Sequence, residues 1–386
     1  MANQNLDFSY YLSIFCCLHL WLLCLFLAFK KNRSQADQIL AIFLVGFSTL
    51  HVQHLVLQKG YLQYIPFLDP IMGIVLSALG PLFYFYVRAM SGEQDLLKKS
   101  KPHWLLLIPS VLNLGFLLVT KRADQLHNFY YQDEKGGTHY TLINLLLLLG
   151  LTVYLLFYLI RSIQVLNHHT ESIKAAYSNT RRLQLGWLKD LIILLMVFSC
   201  IIAPITILIA DTKISQLAVA YFSTFIYFII VYKSLNYSIV FSRIDLSEPL
   251  TVLVTNATAS VAERYQKSTL SNAQVEEYGH SVEIFLISSK LLYDEDLSLK
   301  QMAAALQISA HVLSEVINRY YNKSFFDLVN SYRIEEAKKQ LKDIERLNIT
   351  IEGIGYNCGF GSKTTFYRAF KKHTGHTPTT YTAQMQ

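Results

Sequence analysis

Charge is what this chain has little of. Of its 386 residues only 16% are charged and 52% are hydrophobic, whereas soluble domains carry about 25% charge. That composition points away from a wholly soluble protein. Cysteine is also sparse, with five residues, no C-x-x-C pair and no even ladder of the kind that staples secreted domains. Cys16, Cys17, Cys24, Cys200 and Cys358 all read as small buried hydrophobes. No Gly-rich phosphate loop, nucleophile–base pair or paired carboxylates appear, so the sequence points to no enzyme, cofactor or metal. No Lys or Arg precedes the first apolar run and no small-residue cleavage site follows it, so that run does not read as a cleavable signal peptide.

The few charges are unevenly placed. Residues 1–240 hold 29 of them and residues 241–386 hold 32, which implies a membrane-embedded part joined to a soluble one. A helix crossing the bilayer core needs about 17 to 25 apolar residues. Seven stretches qualify: 9–29, 39–57, 71–90, 104–120, 141–160, 191–210 and 215–232. Gly80-Pro81 and Pro109 break the third and fourth. Segments after the first, third and fifth stretches carry eleven Lys and Arg and the opposite set five. By the positive-inside rule this puts the N-terminus outside and the C-terminus in the cytoplasm.

Inside this bundle, His51 and His54 lie three apart and share a helix face. Such a pair either hydrogen-bonds to neighbouring helices or contacts a ligand, since intramembrane polar groups are costly. The run Phe83-Tyr84-Phe85-Tyr86 ends near Arg88. It reads as an interfacial aromatic belt with an Arg anchor, or else as the lining of a pocket with Arg88 as a ligand contact.

The C-terminal part is periodic in another way. Residues 233–272 read as a connector with a β-branched patch at Thr251–Thr255, and 273–292 as a helix. Leu299, Met302, Ala303 and Leu306 mark one buried helix face. A turn at Gln307-Ile308 follows, then Ser309 as N-cap and a second face of Leu313, Val316, Ile317 and Tyr320. This is a helix-turn-helix pattern. It recurs 52 residues later with Ile351, Ile354, Gly355 and Cys358, the turn Gly359-Phe360-Gly361, the N-cap Ser362, and Phe366, Ala369, Phe370 and His373. One longer amphipathic helix through Phe325, Leu328, Val329, Tyr332, Ala337 and Leu341 bridges the two. Residues 298–386 carry twelve Lys and Arg against seven Asp and Glu. Outward positions of the last unit include Lys363, Thr365, Arg368, Lys371 and Lys372; those of the first include Ala310, His311, Ser314, Glu315, Asn318 and Arg319. Side chains of these types reach phosphates and base edges.

The stretch Leu299 to Ala383 resembles the DNA-binding domain of AraC/XylS-type transcriptional regulators. The resemblance rests on Leu313-Ser314 with Asn318, Ser324 to Asp327, Asn330, Tyr332-Arg333-Ile334 and Ala337. It continues through Ile354 to Phe360, Phe366 to Lys372, and Thr374 to Pro378 with Tyr381. Gly355 stands where the family usually has Ala, which loosens that helix slightly. The resemblance implies a bipartite domain whose second helices enter successive major grooves. It further implies Ala310, His311, Ser314, Asn318 and Arg319 at the DNA in the first unit, and Ser362, Lys363, Thr364 and Arg368 in the second. Lys371 and Lys372 would hold phosphate. The arrangement also resembles a subset of that family whose sensor is a multi-helix membrane domain, with Tyr265 to Ser271 fitting the subset's connector.

The expected architecture is therefore all-α, a seven-helix transmembrane bundle followed by a soluble double helix-turn-helix domain. The expected divisions are 1–232 (sensor), 233–282 (cytoplasmic connector) and 283–386 (DNA-binding). The expected protein is a bacterial inner-membrane regulator that binds double-stranded operator DNA. Its expected partners are the lipid bilayer, a small-molecule or membrane-derived effector, a second copy as homodimer, and RNA polymerase. Two alternatives remain at this level: an inert membrane anchor for a constitutive regulator, or a membrane enzyme or transporter with a basic docking tail.

Overall fold

A computed structural model describes residues 8–31, 33–59, 61–65, 68–93, 96, 130–132, 138–140, 142–180, 183–202, 204, 218, 220–230, 232–233 and 270–384. The chain divides into two compact units, Met1–Leu166 with Leu185–Arg243, and Asn167–Gln184 with Ile244–Gln386. Both are helical; the described strands are one short antiparallel hairpin, β1 (Tyr130–Gln132) and β2 (Thr138–Tyr140).

In the first unit α1 (Phe8–Phe29) packs along α2 (Gln35–Gln58), and α2 along α3 (Leu68–Met90). Helix α4 (Leu142–Ala176) follows, then α5 (Gly186–Val197), which closes in a π-turn at Phe198–Ile202, and the short apolar helix α6 (Ala220–Ile230). Four helices are long and apolar enough to cross a membrane, within Tyr10–Phe29, Gln35–Val56, Ile71–Met90 and Leu149–Ala176. The stretch 104–120 lies outside the described residues. Pro81 does not break α3, which runs unbroken through it; a helix inside a bundle tolerates the lost donor when its neighbours satisfy the freed carbonyl.

Along α1, Phe8, Tyr11, Phe15, Leu18, Leu22, Leu25 and Phe29 are exposed at alternating three- and four-residue steps. That is one continuous apolar stripe on the outside of the helix. In water such a stripe is a liability; in hydrocarbon it is solvated. The inner face, Cys16, Leu20, Leu23 and Leu27, joins Ile39, Leu40, Phe43 and Leu44 of α2 in the core.

Helix α4 has 35 residues, a length of roughly 50 Å at 1.5 Å per residue. The bilayer core is about 30 Å thick, so the helix is far longer than a crossing needs. Its last ten residues, from Asn167, belong to the second unit.

Candidate nucleic-acid interface

In the C-terminal stretch of the second unit α7 (Asn272–Ser288) comes first among the described helices, opened by a capping box in which Ser271 and Gln274 satisfy each other's backbone N–H groups. Then come α8 (Leu299–Ala305), α9 (Ala310–Tyr320), the long α10 (Phe325–Lys342), the single turn α11 (Ile344–Leu347), α12 (Ile351–Asn357), α13 (Lys363–Thr374) and α14 (Pro378–Ala383). Each helix-turn-helix has its own core. Leu299, Met302, Leu313, Val316 and Ile317 pack with Phe325, Leu328 and Val329 from the first half of α10. Ile354, Cys358, Phe366 and Phe370 pack with Ile334, Ala337 and Leu341 from its second half. The bridging helix is thus shared, one half to each core, with Arg333 at the changeover.

The second helix of each unit starts where the N-cap pattern predicts. Ser309 accepts from Val312 N–H at 3.2 Å, and Ser362 from Thr365 N–H at 3.2 Å. Helix α13 buries Phe366, Ala369 and Phe370 and exposes Lys363, Thr364, Arg368, Lys371 and Lys372. Its N-cap Ser362 is buried. Helix α9 exposes His311, with Ala310, Ser314, Asn318 and Arg319 partly exposed beside it. Apart from the buried cap Ser362, the structure therefore places the expected residues on two helix faces.

Three positions differ from the periodic reading. Glu315 is not outward: it is 1% exposed, and its carboxylate accepts from Arg319 Nη1 at 2.6 Å. Arg319 also donates to the Asn272 side chain at 2.6 Å, so it ties α9 to α7. Tyr320 and His373, expected on buried faces, are exposed. Tyr320 lies against Gly279 of α7, where an added Cβ would stand 2.7 Å from its ring. Helix α7, with Val282 and Leu286 in the first core, is the third body that a two-helix reading of α8 and α9 leaves out.

The electrostatics are local. Lys363 pairs with Glu352 of α12, a contact that holds its ammonium pKa above the ordinary value. Lys372 reaches Asp327 of α10 at 2.5 Å. Burial pushes the Asp327 carboxyl up, but the hydrogen bond and charge of Lys372 outweigh it, and the pKa lies below the ordinary value. Arg368 and Lys371 make no ion pair among the described residues. Gly355 does more than loosen its helix. A Cβ there would stand 2.7 Å from the Phe366 ring, so α12 and α13 approach closely because that position has no side chain.

In the first unit, His51 and His54 are both buried on α2. Neither ring nitrogen of His51 has a hydrogen-bond partner among the described residues, so the reading in which it bonds to a neighbouring helix is not met. Among the described residues no three His, Cys, Asp or Glu converge as a metal site. Phe83, Tyr84, Phe85 and Tyr86 are all buried. Successive helical residues point about 100° apart, so α3 is enclosed on every side there, and the belt reading, which needs exposure, is replaced by core packing. Arg88 Nε donates to Glu93 at 2.6 Å and its guanidinium lies 5.4 Å from the Tyr84 ring.

Comparison with known proteins bears on the second unit. Residues 302–384 match the family model described as a helix-turn-helix domain. Over 92 residues the chain is 29% identical to the uncharacterized HTH-type transcriptional regulator YijO of Escherichia coli (strain K12), covering 24% of this chain and 31% of that one. Over 92 residues it is 34% identical to a second uncharacterized HTH-type transcriptional regulator, from Staphylococcus aureus (strain COL), covering 24% of this chain and 12% of that protein. The chain thus spans less than a third of the length of these curated relatives. Among solved structures it is similar to the C-terminal domain of AraT, a response regulator from Geobacillus stearothermophilus, at 27% identity over 30% of this chain and 88% of that one, with a TM-score of 0.24. A Listeria innocua protein of unknown function matches at 28% identity over 28% of this chain and 96% of that one, with a TM-score of 0.25. The C-terminal part of the chain is an AraC-type helix-turn-helix domain.

Proposed function

We propose that the protein is a membrane-anchored, sequence-specific DNA-binding transcription regulator whose bundle senses a signal and biases operator binding. The observation that carries the DNA-binding part is the paired display of α9 and α13. Each is the second helix of its unit, capped by serine, with a buried apolar face and an exposed polar or basic one. On this reading Ala310, His311 and Ser314 of α9, and Lys363, Thr364 and Arg368 of α13, face base edges in successive major grooves. Asn318, Arg319, Ser362, Lys371 and Lys372 position the helices or meet phosphate.

The outer apolar stripe of α1 and the four long apolar helices support membrane anchoring. Sidedness has its own support. Residues 161–182 follow the fifth predicted crossing on the Lys/Arg-rich side, and Tyr177 pairs with Ser298 of the tandem domain. A segment touching that domain shares its side of any bilayer, which agrees with a cytoplasmic C-terminus of an inner-membrane protein. In this reading residues 1–232 sense, 233–282 connect and 283–386 bind DNA. An effector acts by preferring one bundle arrangement.

The test is crosslinking and sequencing of DNA recovered with the intact protein from the membrane fraction, beside an Arg368→Ala, Lys363→Ala variant. The proposal expects a few sharp sites, lost in the variant. Diffuse, salt-sensitive recovery unchanged by the variant would mean that the tail meets only phosphate.

A further inference from the structure

The segment that follows α4 is built into the tandem domain. Tyr177 forms an antiparallel bridge with Ser298. The Ser178 N–H donates to the Leu297 carbonyl at 3.1 Å, and its hydroxyl donates to the same oxygen at 2.7 Å. That hydroxyl also accepts from Arg333 Nη2 at 3.3 Å. Ser178 and Thr180 are buried. The segment reaches the second helix-turn-helix too, for a Cβ added at Gly361 would collide with the side chains of Asn179 and Glu295.

These contacts fall on the parts that aim the two recognition helices. Ser298 is the N-cap of α8, with which the first unit opens. Gly361 directly precedes Ser362, the N-cap of α13. Arg333 sits on α10 where that helix passes from one core to the other, donating to the Leu292 carbonyl at 2.8 Å and the Asp294 carbonyl at 2.5 Å, with its guanidinium 5.9 Å from the Phe360 ring. A loop that merely covered a surface would leave its polar groups to water. Here Ser178 instead supplies a hydrogen-bond partner to a buried arginine 155 residues away.

We infer that Tyr177–Thr180 is a strap that fixes the spacing and orientation of the two helix-turn-helix units, with Ser178 as its positioning residue. Because the strap follows α4 directly, a shift of that helix reaches both recognition helices at once. The regulatory meaning of the strap rests on the reading given under Proposed function; its docking does not.

Two arms test it in the full chain. Antiparallel bridge partners have Cα atoms about 4.5–5.5 Å apart, inside the range of roughly 4.4–6.8 Å that a disulfide spans. Tyr177→Cys with Ser298→Cys is therefore expected to crosslink on mild oxidation in isolated membranes, read as joined peptides by mass spectrometry, with each single variant as control. The second arm uses the DNA site recovered with the wild-type chain, and that site with one base pair inserted between its halves. Wild type is expected to discriminate against the insertion. Ser178→Ala is expected to bind the natural site much as wild type does but to lose roughly three- to tenfold of that discrimination, the range set by one hydrogen bond. Ser178→Thr, which keeps the hydroxyl, is expected to restore it. Failure to crosslink would overturn the docking. A crosslinked pair with Ser178→Ala discriminating like wild type would overturn the role in spacing. A wild type with no preferred site would instead overturn the regulator reading, and the spacing role with it, while the crosslink would still uphold the docking.

Discussion

Gln307 and Gly359 hold the same place in the two successive helix-turn-helix units, and both are left-handed, at φ 58° and φ 84°. The turn demands that backbone at each position, but only the second unit has the residue that adopts it without strain. Gln307→Gly is expected to stabilise the domain by about 0.5–1 kcal/mol. Gly359→Ala is expected to destabilise it by more, because its Cβ would also stand 2.8 Å from the Tyr293 carbonyl oxygen. Thermal unfolding of the two variants reads the opposite signs.

Two lysines of α13 are held by carboxylates behind them, Lys363 by Glu352 and Lys372 by Asp327. Glu352→Gln and Asp327→Asn release those cations for the DNA, Lys363 at the groove and Lys372 at phosphate. Each is expected to raise DNA affinity at low salt and to steepen the slope of log affinity against log salt by about 1. Titrations at several salt concentrations measure it.

The Asp327 pair also carries a pH signature. Its folded carboxyl pKa lies below the ordinary 3.8, so its stabilisation is complete above that value. It is lost as the pH falls through the folded pKa. Asp327→Asn should flatten that acid limb by lowering stability in the neutral region while matching wild type at low pH, which unfolding followed by circular dichroism across that range would show.

Arg333 is 1% exposed and spends its guanidinium on the Leu292 and Asp294 carbonyls and the Ser178 hydroxyl. Burial lowers its pKa to about 10. Lysine cannot reproduce the fork of donors. Arg333→Lys is expected to cost about 1–3 kcal/mol, the range for leaving a buried acceptor unpaired. Limited proteolysis of the full chain in denaturant would read the loss.

Asn330 is buried on the same helix, and neither amide atom has a hydrogen-bond partner among the described residues. Replacing an unsatisfied buried amide by an apolar side chain of similar size removes a desolvation cost. Asn330→Leu is expected to raise the unfolding midpoint, and a fall would show that the amide has a partner in the folded protein.

What was legible in the residues was local. The faces of α8, α9, α12 and α13 follow from apolar residues at helical spacing, and the caps Ser309 and Ser362 from a hydroxyl placed just before each face. What was not legible depended on a third body. Glu315 looks outward on α9 until Arg319 folds over it towards Asn272 of α7. Gly355 looks like a weak helix residue until the Phe366 ring is seen against it. Ser178 looks like an ordinary loop serine, because partners 119 and 155 residues away leave no periodic trace. Pro81 reads as a break because the neighbours that let α3 continue are not visible from the run itself.

Footprinting of the full-length protein on its recovered DNA site tests the central claim most directly. The account predicts two protected major-groove stretches on one face of the duplex, about one helical turn apart, with Arg368→Ala erasing one and leaving the other. A single stretch, or uniform protection that Arg368→Ala weakens evenly, would contradict it.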